Sequence, residues 1–218
     1  MSYDAVIFDN DGVLLTLTSM EAHLAGTREA FDQVGVPSPD ADHVEAMSIG
    51  VSVPQLEAVC SAYDIDPARF WRARDAAISA AQRAAIRAGE KRPYDDVGRL
   101  DDLTVPLGLV SSNQQATVTF ALDYFDLESA FETVQARPPT VESLRLKKPN
   151  PHYVETAMSD LGVSDALFVG DNESDVEAAH RAGIDAAFVR RPHRRDADLS
   201  VGPDYDVQGL DDVVRIVE

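Results

Sequence analysis

The chain has 218 residues, 44% of them hydrophobic, and carries a net charge of -19 from 38 acidic and 19 basic side chains. That length suits one domain with a large insertion, or two small domains, and can bury a sizeable core. The charge argues against nucleic acid and anionic membranes as partners, because both select clustered positive charge.

Lysine is scarce. Lys91, Lys147 and Lys148 are the only three among the 19 basic residues, and 26 of the 38 acids are Asp. This composition resembles that of proteins from salt-loving archaea, whose acidic surfaces are screened in high salt. A lone Cys60 within LEAVCSAY excludes an internal disulfide and a Cys-x-x-Cys zinc cluster, and is expected to be a small core residue. No stretch reaches the roughly 18 apolar residues of a membrane helix, and MSYDAVIFD lacks the features of a secretory signal, so a cytoplasmic location is expected.

In chain order, Ala5 to Phe8 is an unbroken apolar run, the pattern of a strand buried on both faces of a parallel sheet. It ends in Asp9-Asn10-Asp11-Gly12, which places two carboxylates at the carboxyl end of a strand, where open α/β sheets hold their ligands. Helical signals follow without strands: after Ser19 to Gly35, from Asp40 to Met47, from Val53 to Tyr63, and from Asp66-Pro67 to Ala88. A helical block of about 70 residues is too long for an ordinary connection and predicts an inserted cap domain over 16–90, with a core domain of 1–15 and 91–218.

Strand and helix signals then alternate. Val105 to Val110 is a strand ending at Ser111-Ser112-Asn113 before a helix to about Phe125; Phe131 to Ala136 is another strand, and Arg137 to Leu146 a loop. A helix over Pro151 to Leu161 precedes the strand Leu167 to Gly170, which ends in Asp171. Asp175 lies on the helix that follows, and Ile184 to Val189 is the last core strand. Arg190 to Asp206 reads as loop, and Leu210 to Val217 as a terminal helix. The fold class expected is α/β, a doubly wound Rossmann-like parallel sheet with an all-helical cap.

Three strands thus end in residues suited to phosphate and metal chemistry. Mg²⁺ takes hard oxygen ligands, commonly one or two carboxylates with phosphate and water, which Asp9 and Asp171 can supply. A carboxylate can also attack phosphorus, dividing one difficult transfer into two steps, and Asp11 is spaced to act as the acid and base such steps need.

With these motifs the chain resembles the haloacid dehalogenase superfamily of hydrolases, in its phosphoglycolate phosphatase-like branch. The first motif of that family, DxDGxL, matches Asp9 to Leu14 and implies Asp9 as nucleophile and Asp11 as general acid and base. The second matches Ser111, implying a phosphate-binding hydroxyl assisted by Ser112 and Asn113. The third, Lys before Pro, matches Lys148, with Lys147 as the alternative. The fourth, GDxxxD, matches Gly170 to Asp175 and implies Asp171 as a direct Mg²⁺ ligand with Asp175 in support. The metal also takes the backbone carbonyl of Asp11 in this family. Asp96 departs from the pattern, standing where Gly is usual.

The resemblance implies a Mg²⁺-dependent phosphatase for a small phosphorylated metabolite, phosphoglycolate by default, acting as a monomer or homodimer. A phosphosugar mutase sharing the four motifs is the alternative, and a catalytically silent binding protein on the same scaffold is another. Elsewhere, His23, His43, His152, His180 and His193 show no metal-ligand spacing, and Phe70 and Trp71 suit a cap core. Arg190, Arg191, Arg194 and Arg195 are expected to pair with surface carboxylates, and the Asn10 side chain to point away from both Asp9 and Asp11.

Overall fold

The computed structural model of the chain describes residues 3–218. Strand β1 (Ala5–Phe8) is buried at every position, as an apolar run without alternation requires. Four helices follow: α1 (Met20–Gln33), α2 (Ala41–Ala46), α3 (Val53–Ala62) and α4 (Pro67–Arg87). Their starts are set locally. Ser19 accepts from the Ala22 N–H, Ser52 and Gln55 form a capping box, and Asp66 accepts from the Arg69 N–H at 2.7 Å ahead of Pro67.

The core then resumes with β2 (Leu107–Gln114), α5 (Gln115–Tyr124), β3 (Thr133–Arg137), the short α6 (Ser143–Leu146) and α7 (His152–Leu161). It closes with β4 (Ala166–Gly170), α8 (Glu173–Ala182), β5 (Asp185–Val189), β6 (Tyr205–Val207) and α9 (Leu210–Val217). The six strands form one parallel sheet in the order β3-β2-β1-β4-β5-β6. Successive residues of β1 face opposite sides: Val6 and Phe8 join a core with α5 and α9, Ala5 and Ile7 one with α7 and α8. The fold is therefore the doubly wound Rossmann-like α/β sheet that the alternating pattern predicts.

Three segments differ from the sequence expectation. Strand β2 starts at Leu107 rather than Val105 and runs past Val110 through the polar residues to Gln114. Pairing with β3, Ser111 beside Ala136 and Gln114 beside Arg137, extends it across a bulge. Within the expected loop Arg137 to Leu146, Ser143 bonds Thr140 through both its N–H and its hydroxyl and starts α6. In the expected tail loop, β6 forms because β5 offers a free edge, with the Arg190 N–H bonding the Val207 carbonyl at 2.7 Å.

The helical insertion packs around an apolar cluster that includes Phe31, Leu56, Cys60, Phe70 and Trp71 and takes in Leu144 of α6. Burial, with Asp66 nearby, pushes the Cys60 thiol up to about 11. The two linkers to the core run side by side, the Thr16 N–H bonding the Arg92 carbonyl and the Tyr94 N–H that of Leu14. Among the described residues, no helix is long and apolar enough to cross a membrane.

Candidate active site

Strand β1 lies between β2 and β4, the point at which the sheet's winding reverses, and such points open a crevice at the carboxyl ends of the strands. Asp9 follows β1, Asp171 follows β4, and Asp175 sits in the first turn of α8. One oxygen from each lies within 4.8 Å of the others, and all three residues are buried. Lys148 reaches in from the segment before α7, its Nζ 2.8 Å from Asp9 Oδ1 and 2.7 Å from Asp175 Oδ1. It also donates to the Val110 carbonyl at 3.3 Å.

Two glycines make this convergence possible. A Cβ on Gly170 would lie 2.3 Å from the Cβ of Asp175, and one on Gly12, which has a φ of +88°, would lie 2.4 Å from Asp171 Oδ2. Asp175 Oδ2 accepts the N–H groups of Asp171 at 3.1 Å and Asn172 at 3.0 Å. Asp175 therefore caps α8 with one oxygen and meets Lys148 with the other.

Burial pushes the Asp9 carboxyl up to about 8, against the pull of Lys148 and with repulsion from Asp175 and Asp171 adding to the rise. Burial also opposes the charge on Lys148, but Asp175 and Asp9 outweigh it and hold the ammonium above the usual lysine range. Three buried carboxylates converge around the Lys148 ammonium, with Arg194 and His193 on the outer side of Asp171, and present hard oxygen donors. That donor set fits a divalent cation such as Mg²⁺.

Asp11 is held from both sides. Its Oδ1 pairs with the Lys91 ammonium and accepts from Asn10 Nδ2 at 3.2 Å, while its Oδ2 accepts from Asn113 Nδ2 at 2.6 Å. Lys91 is 1% exposed and also donates to Gln82 Oε1 at 3.0 Å and Thr18 Oγ1 at 3.4 Å. Gln82, on α4, accepts from Asn113 Nδ2 at 2.9 Å, so the insertion touches the network around Asp11. Sequence reading assigned Lys91 no role, although the scarcity of lysine singled it out. The expectation for Asn10 is corrected. Beyond Phe8 the chain leaves strand geometry, the Asn10 carbonyl accepting from the Leu14 and Leu15 N–H groups, and the buried side chain turns to Asp11 instead of away.

Ser111 is buried near the end of β2, its Oγ accepting from the Asn113 N–H at 3.1 Å. The Ser112 carbonyl accepts from Arg137 Nε at 3.4 Å. His193, which sequence spacing gave no metal-ligand role, stands at the site's edge with Nε2 2.6 Å from Asp171 Oδ2, and Arg194 Nε lies 3.4 Å from the same oxygen. The segment after β5 folds back over the strand ends, which spacing in the sequence did not signal. Arg190 pairs with Asp206 at 2.8 Å, as expected for that cluster. Arg191 is instead buried, bonding Asp96 Oδ2 at 2.8 Å and the Val13 carbonyl. Asp96 Oδ2 also accepts from the Leu210 N–H at 2.8 Å, which explains an acid where the family pattern has Gly.

The family profile described as haloacid dehalogenase-like hydrolase matches residues 6–189. Pyrophosphatase PpaX of Oceanobacillus iheyensis is 31% identical over 127 residues, and that of Bacillus velezensis 32% over 126. The first match spans 57% of this chain and 58% of that relative's length. Among solved structures, a predicted phosphoglycolate phosphatase from Haemophilus somnus superposes with a TM-score of 0.67 at 19% identity, covering 99% of this chain and 98% of that one. CbbY from Rhodobacter sphaeroides, in complex with phosphate, gives 0.68 at 18% identity, covering 94% of this chain and 92% of that one. These two likenesses concern the fold. The profile match, running from β1 through β5, places the chain in the haloacid dehalogenase-like hydrolase family.

Proposed function

We propose that the protein is a Mg²⁺-dependent phosphatase that hydrolyses a small phosphate monoester through an aspartyl phosphate on Asp9. The observation carrying this reading is the convergence of Asp9, Lys148, Asp171 and Asp175 at the carboxyl ends of the parallel strands. A carboxylate attacking phosphorus needs its charge and that of the ester screened at close range. Asp9, Asp171 and Asp175, with the Asp11 carbonyl, would hold the cation, which lowers the repulsion between the ester and Asp9.

The chain's own groups do the rest. Asp9 attacks the phosphoryl group, the bond to the alcohol oxygen breaks, and Asp11 gives that oxygen its proton. Asp11 then takes a proton from water as it attacks the phosphoaspartate, and phosphate leaves. Lys148 and the Ser111 hydroxyl, with Ser112 and Asn113, stabilise charge on the transferred oxygens. Residues 16–90 act as a cap that closes over the bound ester and excludes water, pivoting on the paired linkers.

A panel of small phosphoesters tests this, with phosphate release followed in high salt with Mg²⁺ and with chelator. Release that needs Mg²⁺ and vanishes in Asp9→Asn supports the reading. Full release by Asp9→Asn would sink it.

A further inference from the structure

A cavity of about 270 Å³ lies between the helical insertion and the sheet. His23 and Arg74 line it from the insertion, and Asn113, Arg137, Lys147 and Lys148 from the core. Lys148 lines this cavity and also meets Asp9 at 2.8 Å, so the cavity borders the carboxylate cluster. In a chain of net charge -19, the lining is cationic.

Its charges are not balanced. Lys148 has Asp9 and Asp175. Arg74 and Arg137 share one carboxylate, that of Asp75, at 3.2 Å and 2.7 Å. Lys147 forms no ion pair among the described residues and donates to the Val51 carbonyl at 2.5 Å. Burial, and then the nearby Arg137 and Arg74, push its pKa down to about 8. His23 adds a second observation: its buried Nδ1 has no hydrogen-bond partner among the described residues. Burial, then Arg74 and Lys91, push that ring down to about 4, so it stays neutral and can offer an N–H.

A structural clasp between insertion and core accounts for the two arginines, whose guanidinium groups also bond the Met47, Ser48 and Pro138 carbonyls. It does not account for Lys147 or for the orphaned His23 nitrogen. An anion would balance the Lys147 charge and could accept from the His23 ring.

We propose that this cavity is a second anion site: the substrate carries, beside the phosphoryl group attacked by Asp9, a carboxylate or further phosphoryl group that docks on Lys147, Arg74 and His23. This rests on the phosphatase reading for the identity of the first group, and it narrows the substrate class to small compounds anionic at both ends. The cavity's size suits a short chain between the two groups.

Binding separates this proposal from the reading it rests on. Titration calorimetry with excess Mg²⁺ compares ethylphosphonate, which has no second anion, with phosphonoacetate and methylenediphosphonate, which carry a carboxylate and a second phosphoryl group. At least one doubly anionic ligand should bind about tenfold or more tighter than ethylphosphonate, as charge-assisted hydrogen bonds allow. That preference should collapse in Lys147→Met and persist in Lys147→Arg. The two ligands distinguish a carboxylate from a phosphoryl group. Equal binding of all three, or a preference untouched in Lys147→Met, would overturn the second anion site whatever the turnover. A preserved preference in a protein that releases no phosphate from any ester would overturn the phosphatase reading and leave the anion site standing.

Discussion

The Lys148 ammonium lies 2.8 Å from Asp9 Oδ1 while also 2.7 Å from Asp175, so one buried cation ties the proposed nucleophile to the first turn of α8. Replacing it with Met leaves two buried carboxylates without their shared partner. Lys148→Met should lower kcat by about 10²-fold or more, the range found when a preorganised charge-stabilising group is lost. Its thermal midpoint in chelator should fall below wild type, and added Mg²⁺ should recover part of that fall. Steady-state kinetics and thermal melts check both arms.

Asp9→Asn keeps the shape of the side chain and removes the attacking charge. Phosphate release should disappear while the far-ultraviolet spectrum and the unfolding transition stay cooperative. Acid-stable labelling of the wild-type protein by a phosphorylated substrate, absent in the variant, would place the covalent group on Asp9.

Lys91 is buried and pairs with Asp11, so its removal takes away one of the contacts that hold the proposed acid and base. Lys91→Met should lower kcat by about 10²-fold, within the usual contribution of a positioned acid or base, with KM little changed. A shift in the pH profile of kcat, restored toward wild type in Lys91→Arg, distinguishes positioning from loss of fold. An unchanged profile in Lys91→Met would remove Lys91 from this role.

Asp75 balances Arg137, 3% exposed, and Arg74, 6% exposed, across the junction of α4 and β3. Asp75→Asn leaves both guanidinium groups buried without a carboxylate. It should destabilise the protein by about 3–5 kcal/mol, the cost of breaking one side of a buried pair. Denaturant titration measures it.

Lys147 gives a pH dependence with a defined sign. Its pKa falls from 10.5 to about 8 on folding, chiefly through burial. Between those values the unfolded chain binds more protons, so this group's contribution to stability rises with pH over that window. For anion binding the sign is opposite, because the ammonium loses its charge above about 8. The preference for phosphonoacetate over ethylphosphonate should therefore fall between about pH 7 and about pH 9.5, as calorimetry at both values would show.

Much of this molecule is readable from local pattern. An apolar run without alternation can only be buried on both faces, so Ala5 to Phe8 and Leu167 to Gly170 announce central parallel strands, and the carboxylates after them mark the crevice. Helix starts at Ser19, Ser52 and Asp66 are written in capping chemistry, which acts within three residues. The order of the polar residues along the chain also carries the family likeness.

What only the tertiary structure decided are the partners of those residues, since they lie far apart in sequence and meet through packing. Lys91 reaches Asp11 because the two linkers lie side by side, and His193 reaches Asp171 because the segment after β5 turns back over the strand ends. Strand β6 and the polar end of β2 exist because a neighbouring strand offers unpaired backbone groups, which no local propensity encodes. The uncompensated charge at Lys147 is of the same kind: its sequence neighbours name a lysine before a lysine, while its positive field comes from Arg74 on α4 and Arg137 on β3. Sequence alone determined which chemical groups stand at the ends of the strands; three-dimensional packing determined which of them are buried, paired or left with charge unmatched, because those properties depend on distances the chain sets only when folded.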